Sequence, residues 1–448
     1  MKRQTNHILF IGILLSCLVS FGQAEILTKE EAFRLMLKNN FSIEIAENNT
    51  EIAENNAGIL NSGYLPNLTG LGSAGYEKRT TDVDFPPDSE RDDFTLENAE
   101  TQSYNASINA SYLLFDGLGR LYNFKRLQEL YALSELQARE TAEVTGLQLF
   151  SVYYDVARLT ENVEVFKETL NTSRDRITRA QYRFEYGQAN KLEVLNAQVD
   201  VANDSINLLN AIQSLGNAKR DLNLVLSRDL MEEFEVDTLV NFTSKLVIDA
   251  YLVAPLQKNV RYMQSEQNIK INEYDLKISR SGYFPRIDLS GSYGWNQNRN
   301  PPNPLFGQPP NINENETLSA GINLTWNIFD GGATVNRERN AKITLQNQEV
   351  TKKQVEQEVL RDIKNAEANY LSRLIVFDIQ KKNVATAKNN FERTQEVYKL
   401  GRATSIEYRQ AQINYLNART NRNAAKYDAK LAELQLLQLT GEILNTKF

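Results

Sequence analysis

The sequence predicts an α+β membrane protein in which a long α-helical barrel is joined to a β-barrel, with four strands per chain. Three observations predict it. The chain repeats itself in tandem. Each copy holds two stretches whose hydropathy alternates every second residue. The remainder is made of long proline-free segments rich in Ala, Leu, Glu, Gln, Lys and Arg.

The repeat rests on four landmarks in one order. Ser62-Gly63-Tyr64-Leu65-Pro66 returns as Ser281-Gly282-Tyr283-Phe284-Pro285 at an offset of 219. Leu114-Phe115-Asp116-Gly117 returns as Ile328-Phe329-Asp330-Gly331 at 214. The glycines of Phe184-Glu185-Tyr186-Gly187 and Tyr398-Lys399-Leu400-Gly401 keep the offset of 214, as do Ala197-Gln198 and Ala411-Gln412. Two tandem copies, about 28–235 and 246–448, explain this order, and the small change of offset places a length difference in a loop.

The strands lie between the first two landmarks. Tyr104, Ala106, Ile108, Ala110, Tyr112 and Leu114 alternate with Asn105, Ser107, Asn109 and Ser111; the run 318–328 does the same with Leu318, Ile322, Leu324, Trp326 and Ile328. Their partners are 68–76 and 287–295. Runs of about ten residues suit tilted strands crossing a bilayer. Tyr76, Tyr104, Tyr293 and Trp295 mark one level, and Tyr112, Phe115, Trp326 and Phe329 the other, as interfacial girdles do. A soluble sandwich with one wet face would alternate too. If the strands do cross lipid, four cannot close a barrel, so closure needs several chains, and three chains give twelve strands.

The helices are 118–185, 190–228, 332–400 and 404–440, with helix-favouring composition and none of the ten prolines. Segments 118–185 and 332–400 would each be about 100 Å long. Gly187 and Gly401 fit the residue after a helix end. Thr28 with Glu31, Asn190 with Glu193, and Thr404 with Glu407 have capping-box spacing. Leu192, Leu195, Val199, Ala202, Ile206 and Leu209 read as a coiled-coil seam. Segment 190–228 is expected to stack on 260–281, and 404–440 on 41–63. The leftovers, 229–258 and the two termini, would form a belt.

Composition narrows the chemistry. The only His is His7 and the only Cys is Cys17. Both fall in an N-terminal stretch with Lys2 and Arg3, an apolar run Ile8–Phe21 and small residues after it, the pattern of a secretory signal cleaved after Gly22 or Ala24. Leu14-Leu15-Ser16-Cys17 also reads as a lipobox that would leave Cys17 acylated. Without that stretch no His or thiol remains, which excludes Ser-His-Asp and Cys-His nucleophiles, Cys- or His-based zinc sites and disulfides. The 448-residue chain carries 50 Lys and Arg against 57 Asp and Glu, a net charge of −7, and no basic block, so no nucleic-acid partner is expected.

Together, the duplicated hairpins, the FDG junctions and the glycine turns followed by Ala-Gln resemble the TolC-like outer membrane efflux proteins over nearly the whole mature chain. The resemblance implies a homotrimer with a twelve-stranded barrel in outer membrane lipid and a helical duct crossing the periplasm. It implies docking to a periplasmic adaptor, or membrane fusion protein, and through it to an inner-membrane transporter. Boundaries follow: signal peptide 1–22; first repeat helices 23–63; first membrane hairpin 64–116; first periplasmic helix pair 117–228; equatorial segment 229–259; second repeat helix 260–282; second membrane hairpin 283–330; second helix pair and C-terminus 331–448.

The resemblance also directs attention to the two tips. Tyr186, Gly187, Gln188 and Ala189, with Leu400, Gly401, Arg402 and Ala403, are the expected adaptor contacts, although glycines there also simply stop helices. The family narrows its tip with acids six and nine residues after the second tip glycine. Here those positions are Glu407 and Gln410, so one acid is kept and one lost, and Glu407 doubles as the cap partner of Thr404. Glu193, six after Gly187, with Tyr398 and Arg402, complete the gate candidates. Eight acids in 79–103 and a Pro- and Asn-rich 299–316 read as solvated covers rather than a metal site. The expected function is a passive exit duct of a tripartite efflux or type I secretion system, not an enzyme, with no cofactor. A secreted coiled-coil scaffold is the alternative.

Overall fold

The protein is described here from a computed structural model covering residues 26–302 and 307–446. The expected signal and Cys17 lie outside the described residues. The chain divides into two compact units, one of residues 50–134 and 266–351, the other of the rest.

The first unit is built on a four-stranded antiparallel sheet. Its strands are β2 (Asn67–Val83), β3 (Phe94–Phe115), β5 (Arg286–Asn300) and β6 (Asn311–Thr325), in the order β2-β3-β5-β6. Two hairpins are thus joined side by side, and β2 and β6 are open edges. One face carries an apolar band across all four strands. Ile108 pairs with Gly70 and Tyr293, Ala106 with Gly72 and Trp295, and Leu289 with Tyr112 and Ile322. The other face carries Ser107, Asn109, Ser290, Ser292, Ser319 and Asn323. From Ile287 to Trp295 the apolar band runs about 27 Å along the strand, or about 21 Å once tilted by about 40°. That is close to the about 25 Å lipid-facing band of an outer-membrane barrel.

Three expectations change. The strands are 17, 22, 15 and 15 residues long, so they run beyond the about ten that cross lipid. Hairpin pairing continues past the girdle, and the first acidic loop shrinks to 84–93, where Asp93 accepts from the Phe85 N–H at 2.6 Å. At the other end β6 stops at Thr325, opposite Arg286, so Trp326 and Ile328 are not in the strand. The next residue of β5's chain is Pro285, which has no N–H to offer. The girdle is not level in register either. Tyr76 pairs with Gln102, two residues from Tyr104, and Trp295 pairs with Ala106, two further on. This stepwise stagger is what tilted strands require.

The second unit is helical. The helices of the chain are α1 (Lys29–Asn39), α2 (Phe41–Ala57), α3 (Gly119–Glu185), α4 (Lys191–Val225), α5 (Lys245–Tyr251), α6 (Val260–Ser281), α7 (Ala333–Lys399) and α8 (Ser405–Leu439); α1, α4, α5 and α8 lie wholly in the second unit, and α2, α3, α6 and α7 are shared with the first. Helices α3 and α8 run antiparallel, with Tyr154 against Tyr427 at 5.8 Å between ring centroids and Asn162 bonded to Asn423 at 2.9 Å. Leu149, Phe150 and Tyr153 of α3, Val359 and Ile363 of α7, Leu434 of α8 and Phe234 share one core. Burying such side chains is worth about 1.5–3 kcal/mol each. Strand β1 (Ile26–Leu27) pairs in parallel with β4 (Glu235–Val236) against this core. The buried pair Lys430–Glu433, 2.7 Å apart, ties Thr243 and Tyr370 to α8. Among the described residues no helix is long and apolar enough to cross a membrane.

The helix stacking is a correction. The Asn40 side chain donates to Val225 O at 2.8 Å and accepts from the Ser42 N–H at 2.9 Å, so α4 runs into α2. Asn259 donates to Leu439 O at 2.8 Å and accepts from the Tyr262 N–H at 3.1 Å, so α8 runs into α6. Each asparagine occupies the same repeat position and satisfies the unpaired ends of two helices at once. Each arm therefore closes within its own copy, not across copies as expected.

The seam expected on α4 is not filled within one chain. Leu192, Leu195, Val199, Ile206 and Leu209 are exposed, whereas Val194, Ala197, Asp204, Ala211, Ala218 and Leu222 are buried. Small side chains let α4 approach its neighbours closely, so the alanine stripe faces inward and the leucine stripe is left outside.

Candidate functional site

Two helix-to-helix turns form the end of the helical unit. Gly187 has φ +74° and Gly401 φ +72°. At the first turn Gln188 N bonds Arg183 O at 2.7 Å and Gly187 N bonds Phe184 O at 3.0 Å; at the second, Arg402 N bonds Val397 O and Gly401 N bonds Tyr398 O, both at 3.0 Å. This is the Schellman pattern, which needs a left-handed residue. A Cβ at either glycine would meet nothing, so backbone conformation alone selects glycine there. Tyr186, Gln188, Leu400 and Arg402 are exposed around these turns, with Ala189 and Ala403 half-buried.

Each turn hands over to a capped helix, but the two caps differ. Asn190 accepts from the Glu193 N–H at 3.0 Å, and the Glu193 carboxylate leaves its own helix end. It accepts from Arg183 at 3.0 Å and from the Tyr398 hydroxyl at 2.9 Å. Glu407 instead closes a full capping box, accepting from the Thr404 N–H at 2.8 Å and Oγ1 at 2.9 Å. Those bonds hold its carboxyl below the ordinary range. At Thr28 no box forms, because Glu31 pairs with Arg34 at 2.6 Å.

At the turns, Tyr398 links the two copies. It is buried, stacked on Tyr408 at 4.9 Å, and Tyr408 stacks in turn on Phe391 at 5.6 Å. Burial, then the carboxylate it donates to, pushes its phenol upward, so it stays a donor across the neutral range. Arg402 makes no side-chain hydrogen bond or ion pair among the described residues, and Gln410 only bonds Asn414 of its own helix, at 2.9 Å. Arg402, Glu407 and Gln410 line an open hollow of about 450 Å³ on α7 and α8; a second, of about 380 Å³, lies between the two turns.

Above the turns lies a buried charge cluster that the sequence reading missed. Arg409 makes a two-pronged pair with Asp204, both prongs at 2.7 Å, and reaches Asp200 at 3.4 Å. Ser173 donates to Asp204 at 2.6 Å, Gln412 donates to Thr169 O at 3.0 Å, and Arg176 pairs with Asp200. Burial, and Arg409 nearby, lower the Arg176 pKa. Helices α3, α4 and α8 are thereby fastened together. The available signal was two aspartates one helical turn apart opposite Arg409 and Gln412. Gln412 belongs to a repeated landmark whose first-copy counterpart, Gln198, is exposed. No group of His, Cys, Asp or Glu suited to a metal occurs among the described residues.

A family model described as outer membrane efflux protein matches residues 32–228 and 254–442. The chain is 21% identical over 333 residues to the outer membrane protein TolC of Vibrio cholerae, covering 70% of this chain and 75% of that one. It is 21% identical over 445 residues to the alkaline protease secretion protein AprF of Pseudomonas aeruginosa, covering 94% and 87%. The solved CmeC outer membrane channel of Campylobacter jejuni has the same fold, with a TM-score of 0.72 at 18% identity over 93% of this chain and 86% of that one.

Proposed function

We propose a mode of working for this chain from one premise: it belongs to the outer membrane efflux protein family. It is an outer-membrane export channel that extends into the periplasm, an exit duct of efflux or secretion. The members of this family are channels, and nothing in the tip calls for bond chemistry. The observations that carry our reading are the four-stranded sheet with an apolar band and two open edges, and, separately, an exposed leucine stripe on α4. Neither edge nor stripe is satisfied within one chain. Three copies supply twelve strands and cover both, giving a homotrimer set in outer membrane lipid. Cargo passes passively. TolC and AprF differ in what their names assign them, and the partner transporter decides which kind of cargo this duct receives.

The exposed turns at Tyr186–Ala189 and Leu400–Ala403 meet a periplasmic adaptor, through which the inner-membrane transporter is joined. The Glu193–Tyr398 bond, backed by Arg183, holds the tip closed, because it ties the second copy's hairpin to the first. Glu407 lines the hollow with Gln410 and Arg402, but its carboxylate serves its own helix first. Gly401→Trp tests the contact: loss of export with an intact assembly is expected, and unchanged export would overturn it. The mass of the assembly extracted in detergent, corrected for bound detergent, tests the trimer; three chain masses are expected, and a detergent-free monomer would overturn it.

A further inference from the structure

We infer that the open edge of β6 pairs with β2 of a second copy in one definite register, with Ala320 opposite Tyr76, and that this pairing seats Trp326 over Gly70. The inference rests on the reading that several copies close the sheet, and deepens it by naming the contact.

The register comes from the repeat. In the first hairpin Gly70 pairs with Ile108 and Ala74 with Tyr104; in the second Leu289 pairs with Ile322 and Tyr293 with Leu318. Shifted by the repeat offsets of 219 for the first strand and 214 for the second, the two hairpins have identical pairing from Asn67 to Arg79, short of the register shift after Arg79. The hairpins are therefore equivalent units, and the seam between them, β3 with β5, is the template for the next seam, β6 with β2 of the following copy. Ala106 pairs with Trp295 across the internal seam. The same offsets turn that pair into Ala320 and Tyr76. Ile108 with Tyr293 becomes Ile322 with Ala74, Ala110 with Gly291 becomes Leu324 with Gly72, and Tyr112 with Leu289 becomes Trp326 with Gly70.

A second line of argument gives the same answer. On the apolar face the upper end of the band steps by two residues per strand, from Tyr76 to Tyr104, Trp295 and Leu318. One further step of the same size puts the next Tyr76 opposite Ala320. The shapes agree as well. Edge β2 shows Gly70, Gly72 and Ala74 on this face, and a Cβ at Gly70 would meet nothing within 4 Å. Edge β6 and the residues after it show Leu324 and Trp326, and Trp326, Ile328 and Phe329 are 55%, 84% and 85% exposed. Large side chains beside glycines are the pairing that stabilises sheet edges. Their first-copy counterparts, Tyr112, Leu114 and Phe115, sit at or within the internal seam. The early end of β6 is thus a property of one chain alone: its partner strand belongs to the next copy.

The test is disulfide trapping in the full-length chain assembled in outer membranes, with single-cysteine controls. Tyr76→Cys with Ala320→Cys is compared with Tyr76→Cys plus Ile322→Cys and Tyr76→Cys plus Leu318→Cys. The first pair is expected to give a ladder of linked copies on denaturing gels, at several-fold higher yield than either shifted pair. Gly72→Cys with Leu324→Cys reports the same register if the Tyr76 variants fail to assemble. A maximum at a shifted pair would overturn the register while leaving closure by several copies intact, as would absent links in an assembly of multi-copy mass. Absent links in a detergent-solubilised monomer would overturn closure and the register together.

Discussion

Glu193 and Glu407 stand six residues after equivalent glycines, yet they do opposite things. Glu407 is absorbed by the cap of its own helix. Glu193 leaves its cap to Asn190 and reaches the other copy through Tyr398. Local spacing is the same, so the difference comes from what stands opposite. Arg183 and Tyr398 offer Glu193 a cation and a buried hydroxyl, and a charge-assisted bond there outweighs a second cap bond. Glu407 faces an open hollow and takes the nearest donors. A duplicated acid is thus a link in one copy and a helix cap in the other.

The comparison can be broken most severely one step above the turns, where α4 again supplies acids to the second copy. Asp204→Ala leaves Arg409 buried without its two-pronged partner, and a loss of about 3–5 kcal/mol is expected. Thermal unfolding of the detergent-solubilised protein reads it, and a midpoint unchanged from the parent would refute the fastening role. Tyr398→Phe keeps the ring stack and removes only the bond to Glu193, worth about 1.5–3 kcal/mol as a bond to a charged group. Greater resting conductance in planar bilayers is expected, and none if the bond is merely structural. Asn259→Ala should cost about 1 kcal/mol by uncapping α6, without altering conductance. Glu407→Gln should change cation selectivity least, since its carboxylate is occupied by Thr404; a large drop in single-channel selectivity would show that the cap does not dominate. The cap itself should loosen only in acid. The Glu407 carboxyl is depressed in the folded state, so its contribution is present above the ordinary carboxylate value and is lost as pH falls through the lower folded one. Amide protection at the start of α8, corrected for the intrinsic pH dependence of exchange, should fall there and nowhere above it.

How much of this was legible follows from range. The long helices, the alternation of the hairpins and the Schellman glycines are set by residues within a few positions of each other, and they read directly. Glu193 and Tyr398 were legible as candidates because their distance from a glycine is a local quantity. Arg409 and Asp204 were not, since they are 205 residues apart and neither is unusual on its own helix. The leucine stripe on α4 was legible as an apolar stripe, but its spacing does not reveal that packing within the chain selects the alanines beside it. Asn40 and Asn259 carried the true arm connection, but in the sequence each is one polar residue at a helix boundary.

Those two asparagines bear on the order of events during synthesis. The first joint spans 185 positions and the second 180, and each span stays inside its own half of the chain. The earlier half has every residue of its arm before the later half has left the ribosome. Neither arm is threaded through the other, so a gene cut near residue 240 would deliver two fragments, each holding both sides of its own joint. A duplication of this kind can arise by plain end-to-end fusion of an ancestor whose arm already closed on itself.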